Sequence, residues 1–111
     1  RKLGGPEVFP YATQPVMRPA STAERPVLPC VYPNWDNTPR SGSRGLVAHG
    51  STPDSFRVHV ADAVSRLREL PSSQRLLFVK SWNEWAEGNH LEPDTRWGRK
   101  YLEVLHDETR P

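Results

Sequence analysis

Residues 53–79 read PDSFRVHVADAVSRLRELPSSQRLLFV, and the fold turns on this stretch. Pro53 suits a first helical turn, and Asp54 suits the positive end of a helix dipole. Ser51 or Thr52 stands where a cap belongs. Phe56, Val60, Ala63, Val64, Leu67 and Leu70 recur at the spacing of one apolar helical face. That spacing predicts a helix over 53–70, stopped by Pro71. His59, in mid-helix, is expected at its surface. After the polar Ser72-Ser73-Gln74 turn comes Leu76-Leu77-Phe78-Val79. A short continuous apolar run bounded by turn residues predicts a strand buried on both faces.

Working upstream, Val27-Leu28-Pro29-Cys30-Val31-Tyr32 is the best strand candidate, with Pro29 marking it as an edge. Strand, helix, strand implies a βαβ unit with parallel strands. Eight of the 12 prolines lie within residues 1–39, so this first third is expected to be extended or irregular, with little helix. A loop rich in Asn, Gly, Ser and Arg is expected over 33–51. Downstream, a last helix is predicted over 99–108, with Tyr101, Leu102, Val104 and Leu105 inward. The expected architecture is α/β: a Pro-rich irregular segment over 1–25, then two β/α units over 26–111. A parallel sheet needs helices on both faces or closure into a barrel. Two strands supply neither, so the chain is expected to be part of a larger barrel.

Composition excludes several classes. Apolar residues make up 35% of 111 residues, lean for an independent core. No apolar run approaches the roughly 20 residues of a membrane helix, and no signal peptide is visible, so a cytoplasmic location is expected. One cysteine, Cys30, excludes a disulfide scaffold, and it is expected to be a small buried hydrophobe. The 15 Lys and Arg against 13 Asp and Glu are scattered, which argues against a nucleic-acid partner. His49, His59, His90 and His106 show no metal-ligand spacing, and neither a metal nor a cofactor is expected.

The richest patch directly follows the predicted 76–79 strand: Trp82-Asn83-Glu84-Trp85-Ala86-Glu87-Gly88-Asn89-His90-Leu91-Glu92-Pro93-Asp94. Ligands of parallel α/β folds bind at that strand end. Aromatic faces stack on the C–H faces of sugars, while Asn, Asp and Glu bind hydroxyls. Two carboxyls can divide acid and base roles at a glycosidic bond, and Glu84 and Glu87 stand three residues apart. The bland alternative is a structural salt bridge or a helix cap for each Glu, and core packing for the Trp pair.

Trp82-Asn83-Glu84-Trp85-Ala86-Glu87-Gly88, continued by Leu91-Glu92-Pro93-Asp94 and Gly98, resembles the signature of the WbsX family. Proteins of that family carry a domain like glycoside hydrolase family ninety-nine. Trp35-Asp36-Asn37-Thr38-Pro39-Arg40 resembles the family's second signature, in the same order. The resemblance covers about residues 25–105. It implies a (β/α)8 barrel, with this chain as its C-terminal units. By the same resemblance, Glu84 would be a base assisting attack by the sugar's own 2-hydroxyl, and Glu87 the acid that protonates the leaving oxygen. Trp35, Asp36, Asn37, Arg40, Trp82, Asn83, Trp85, His90 and Glu92 would line an oligosaccharide or polysaccharide site. Arg40 would bind a carboxylate or phosphate or pin Asp36, and Glu92 would orient the loop or be plain surface.

The sequence departs from the hydrolases in carrying Ala86 where they usually have His, which leaves substrate and reaction open. WbsX members are often described as glycosyltransferases of bacterial surface-polysaccharide assembly. Three readings follow: a glycosidase-like enzyme, a glycosyltransferase, or a non-catalytic sugar-binding module. The chain alone is expected to be inactive, since a barrel lacking most strands exposes unpaired edges.

Overall fold

A computed structural model describes residues 4–13, 25 and 27–111. Seven short strands and three helices are found among them: β1 Glu7–Pro10, β2 Cys30–Val31, β3 Trp35–Asp36, α1 Thr38–Ser41, β4 Leu46–His49, α2 Pro53–Arg68, β5 Phe78–Val79, β6 Asn83–Glu84, β7 Asn89–His90 and α3 Lys100–Thr109. β2 and β5 run parallel, with Cys30 opposite Phe78 and Val31 opposite Val79, and α2 lies between them in the chain. The predicted strand–helix–strand order is therefore present.

The first 25 residues are not all irregular. β1 pairs in parallel with β4, from Glu7 opposite Leu46 to Pro10 opposite His49. β3 flanks β4 antiparallel on the other side. β1 is thus an edge strand, the position that tolerates a proline such as Pro10. The loop expected over 33–51 carries β3, α1 and β4. Their shortness explains why no periodicity announces them: β4 is four residues held between Gly45 and Gly50. Residues 14–24 and 26 of the Pro-rich segment lie outside the described residues.

α2 forms as its sequence dictates. The Thr52 side chain accepts from the Ser55 amide at 3.1 Å, and the Ser55 hydroxyl accepts from the Thr52 amide at 2.9 Å. This reciprocal capping box satisfies donors that no helical carbonyl can reach. The buried face comprises Phe56, His59, Val60, Ala63 and Leu67. It packs with Tyr101 and Val104 of α3 and with Tyr11, which is fully buried after β1. Phe56 meets the Tyr101 ring at 5.4 Å.

Three expectations are corrected. His59 is buried, not at the surface, because its position falls between Phe56 and Ala63 on the inward face. There its ring lies 4.6 Å from that of Tyr11. Burial lowers its pKa, against the opposing pull of Asp62. Cys30 is exposed, because two-residue alternation in β2 turns Val31 inward and Cys30 outward. It borders an apolar crevice of about 240 Å³ with Phe9 and Trp35. β5 is not buried on both faces: Phe78 is 54% exposed, and only Val79 packs against the core.

Candidate functional site

The site is built on a polar hairpin after β5. β6 pairs antiparallel with β7, with Glu84 opposite Asn89 and Asn83 opposite His90. A single 3-10 turn, Trp85–Glu87, joins them and is closed by Gly88 at φ +50°. Only glycine fits there. The left-handed backbone disfavours a side chain, and a Cβ would lie 3.0 Å from Asp36 backbone atoms. Gly88 therefore fixes how closely the hairpin approaches β3.

Two asparagines that sequence reasoning did not single out for this role lock the arrangement. Asn89 is fully buried and donates to the carbonyls of Asn34 (2.7 Å) and Lys80 (2.9 Å). The Asn34 amide group answers by accepting from the His90 amide (2.8 Å) and donating to the His90 carbonyl. The Ser81 hydroxyl donates to the Asn89 carbonyl and accepts from the Glu84 amide. The signal for such residues is weak in a sequence, since buried loop asparagines carry no periodicity.

The structure brings Glu84, Glu87 and Arg40 together. The Arg40 guanidinium donates to Glu84 at 3.0 Å and to Glu87 at 3.2 Å. The other oxygen of Glu87 takes Lys80 at 3.3 Å. Lys80 Nζ lies 5.0 Å from the centre of the Trp35 ring. Arg40 thus binds carboxylates of its own chain and does not pin Asp36. Its side chain is 55% exposed, that of Glu84 37% and that of Glu87 19%. Pairs this exposed contribute about 0–1 kcal/mol. The guanidinium therefore costs little to displace, and Glu87 is the more enclosed carboxylate.

A second chain of contacts runs from Trp85. Its indole Nε1 donates to Glu92 at 2.7 Å. The Trp85 and His90 rings stack at 3.7 Å and 13°. His90 Nε2 meets Asp94 at 3.1 Å. Burial opposes the charge on Asp94, but the Trp97 and Arg96 amides and the His90 ring outweigh it and hold the carboxyl below its ordinary pKa. An ionised carboxylate only accepts, so His90 donates from Nε2.

The remaining predicted residues are placed as follows. Asp36 accepts from the Thr38 amide (2.9 Å) and hydroxyl (2.6 Å) just ahead of the short α1. Asn37 accepts from the Leu46 amide at 2.6 Å and ties α1 to β4. Asn83 and Trp82 stand exposed, Trp82 by half of its surface. Trp35, Asp36 and His90 share a cavity of about 410 Å³ that Glu84 and Glu87 do not line. Among the described residues no group of three or more His, Cys, Asp or Glu is arranged to hold a metal, and no helix is long and apolar enough to cross a membrane.

Residues 7–105 match the family described as Glycosyltransferase WbsX. The chain belongs to the WbsX family. Two relatives, each named Uncharacterized protein WxcX, come from Xanthomonas campestris pv. campestris, strains B100 and ATCC 33913. Each is 43% identical over 79 residues, which is 70% of this chain and 11% of that protein. This WbsX-family chain therefore spans about a ninth of the length of the curated relatives it matches. No solved structure matches it.

Proposed function

We propose that the protein carrying this chain is a carbohydrate-active enzyme, with Glu84 and Glu87 as the carboxylate pair that acts on a glycosidic bond. One observation carries the reading: residues from two separate segments, Arg40 on α1 and the Glu84–Glu87 hairpin, converge on a shared charged cluster beside Trp35. A stability role does not account for that cluster, because ion pairs so exposed hold little energy.

In this reading Glu87, the more enclosed of the two, is the general acid, and Glu84 is the base or nucleophile assistant. Arg40 bridges the two side chains at rest. A sugar entering the cluster displaces the guanidinium from Glu87 Oε1, where a proton taken from solvent water is then passed to the glycosidic oxygen as its C–O bond breaks. Lys80 remains against the other oxygen of Glu87 and fixes its orientation. The chain would supply C-terminal β/α units of a (β/α)8 barrel. Two parallel strand pairs support this, as do the exposed apolar side chains of Val8 and Phe78, which further strands and helices would cover.

Transfer to a sugar acceptor is the second reading, favoured by the family's description as a glycosyltransferase. Both readings use the same carboxylates. The test is Glu84→Gln and Glu87→Gln in the full-length protein, assayed by product analysis with oligosaccharides, nucleotide-sugars and lipid-linked sugars. Each substitution is expected to reduce turnover by about a thousandfold or more, on the scale of losing an acid–base group, with sugar binding retained. Full turnover in both variants would end the proposal. Free reducing sugar as product separates hydrolysis from transfer.

A further inference from the structure

The cavity of about 410 Å³ lies beside the carboxylate cluster. Gly88 lines it and directly follows Glu87, while Trp35 lines it and carries Lys80 of the cluster 5.0 Å from its ring centre. Its volume falls within the range of about 300–1,000 Å³ typical of small-molecule sites. Trp35, Trp97 and Tyr101 give it aromatic walls, against which the C–H face of a pyranose can rest.

Most polar groups of that wall are spent on their own chain. The Asn34 side chain pairs with both backbone groups of His90. Ser51 donates to the Pro33 carbonyl and shares a 2.8 Å hydrogen bond with the Tyr101 hydroxyl. Asp94 is occupied on both oxygens, by the Arg96 and Trp97 amides on one and by His90 on the other. Asp36 is different. One of its oxygens takes both groups of Thr38. The other meets no hydrogen-bond donor, and no cation within ion-pair distance, among the described residues. That oxygen is not sealed from solvent, although the side chain is half-buried. With the histidines neutral, the wall sets two carboxylates, Asp36 and Asp94, against the guanidinium of the exposed Arg96. An ionised carboxylate accepts hydrogen bonds and donates none. The free oxygen therefore suits a hydroxyl or an ammonium and repels an anion.

We infer that this cavity takes a pyranose unit of the substrate that donates a hydrogen bond to the free oxygen of Asp36, from a ring hydroxyl or an amine, and that it excludes acidic units. The inference rests on the glycosidic reading above and names the kind of sugar that reading leaves open. Asp36 is then a specificity-determining residue. One oxygen orders the chain at Thr38, ahead of α1, and the other reads the sugar.

The test is titration calorimetry on the full-length protein with a neutral methyl glycoside, the matching 2-amino glycoside and the matching uronide, each in gluco, galacto and manno configuration. In at least one configuration the neutral or the amino probe is expected to bind about tenfold or more tightly than the uronide, the scale of one hydrogen bond to a charged group. An amino probe about tenfold tighter than the neutral one assigns an amino sugar, and equal binding of those two assigns a hydroxyl. This ranking is read on the unaltered protein and needs no variant. Asp36→Asn keeps an oxygen for Thr38 and places an NH2 group where the free oxygen stood. It is expected to weaken the neutral and amino probes about tenfold and to bring the uronide level with the neutral probe. A uronide that binds the unaltered protein as tightly as the other probes, failure of every neutral and amino probe to bind at millimolar concentration, or a ranking that survives Asp36→Asn overturns the inference. Glu87→Gln separates it from the catalytic reading. A variant with full turnover and an intact ranking sinks the carboxylate pair and leaves the Asp36 subsite standing.

Discussion

Between α2 and α3 the contacts are apolar and repeated. Phe56, Val60 and Ala63 meet Tyr101 and Val104, and any one of them is backed by its neighbours along the helix. In residues 81–98 the contacts are polar and single. Asn89 alone closes the Asn34 and Lys80 carbonyls, Glu92 alone anchors the Trp85 indole, and Asp94 alone gathers two amides and His90. Hydrophobic burial is non-directional and scales with area, so the first region tolerates reshaping. Hydrogen bonds are directional, so the second region sets geometry with little redundancy. The chemistry belongs to the second region, where atoms must be placed to fractions of an ångström.

The largest expected effect tests the first half of that contrast. Phe56→Ala removes a fully buried ring from the centre of the helix pair. It is expected to cost about 3–5 kcal/mol in denaturant unfolding of the full-length protein. Turnover per folded molecule and the preference among sugar probes should not change. A changed preference would mean that the helical core and the loops are not separable as argued.

A smaller loss of stability with a larger loss of function is expected from Asn89→Leu. It keeps approximate volume but leaves the Asn34 and Lys80 carbonyls without their donors, at about 1–3 kcal/mol per orphaned group. Lys80 and the hairpin then lose their register against β3, so turnover should fall at least tenfold, the scale of about 1.4 kcal/mol off transition-state stabilisation. Unchanged turnover in a folded Asn89→Leu protein would show that the hairpin is positioned by other means.

The same contrast explains what was legible in the sequence. α2 could be read to within two residues because Pro53, its cap and six apolar positions repeat one statement. α3 and the parallel pairing of β2 with β5 were legible for the same reason. The two Trp-containing motifs suggested that Glu84, Glu87, Asp36 and Trp85 share one concavity, but the cavity that Asp36 lines is not lined by the other three. What escaped was set by partners distant in sequence. Tyr11 reaches His59 across nearly fifty positions and draws a mid-helix histidine inward. β1 and β4 form because each finds the other, not because either is strongly patterned. That Arg40 would hold the two Glu, and not Asp36, depends on the closeness permitted by Gly88, which a sequence does not display.

The smallest expected effect is in pH, where the two regions should respond in different windows. His59 sits in the helical core with its pKa below the ordinary 6.5, so the folded state favours the neutral ring. Its stabilising form is complete above 6.5, and stability is lost as pH falls from there toward the folded value. Asp94 sits in the loop region with its pKa below the ordinary 3.8, so the folded state favours the carboxylate. Its contribution is present above 3.8 and is lost only as pH falls below that. Lowering pH from 7 should therefore loosen amide protection in α2 first, beginning near 6, while residues 89–97 hold until about 4. His59→Gln should flatten the first drift and leave the second, and Asp94→Asn should do the reverse. Hydrogen exchange followed by mass spectrometry resolves the two segments. If they opened together in one pH step, the helical core and the polar loops would be a single cooperative unit, and the division between redundant and non-redundant contacts would not govern how the molecule comes apart.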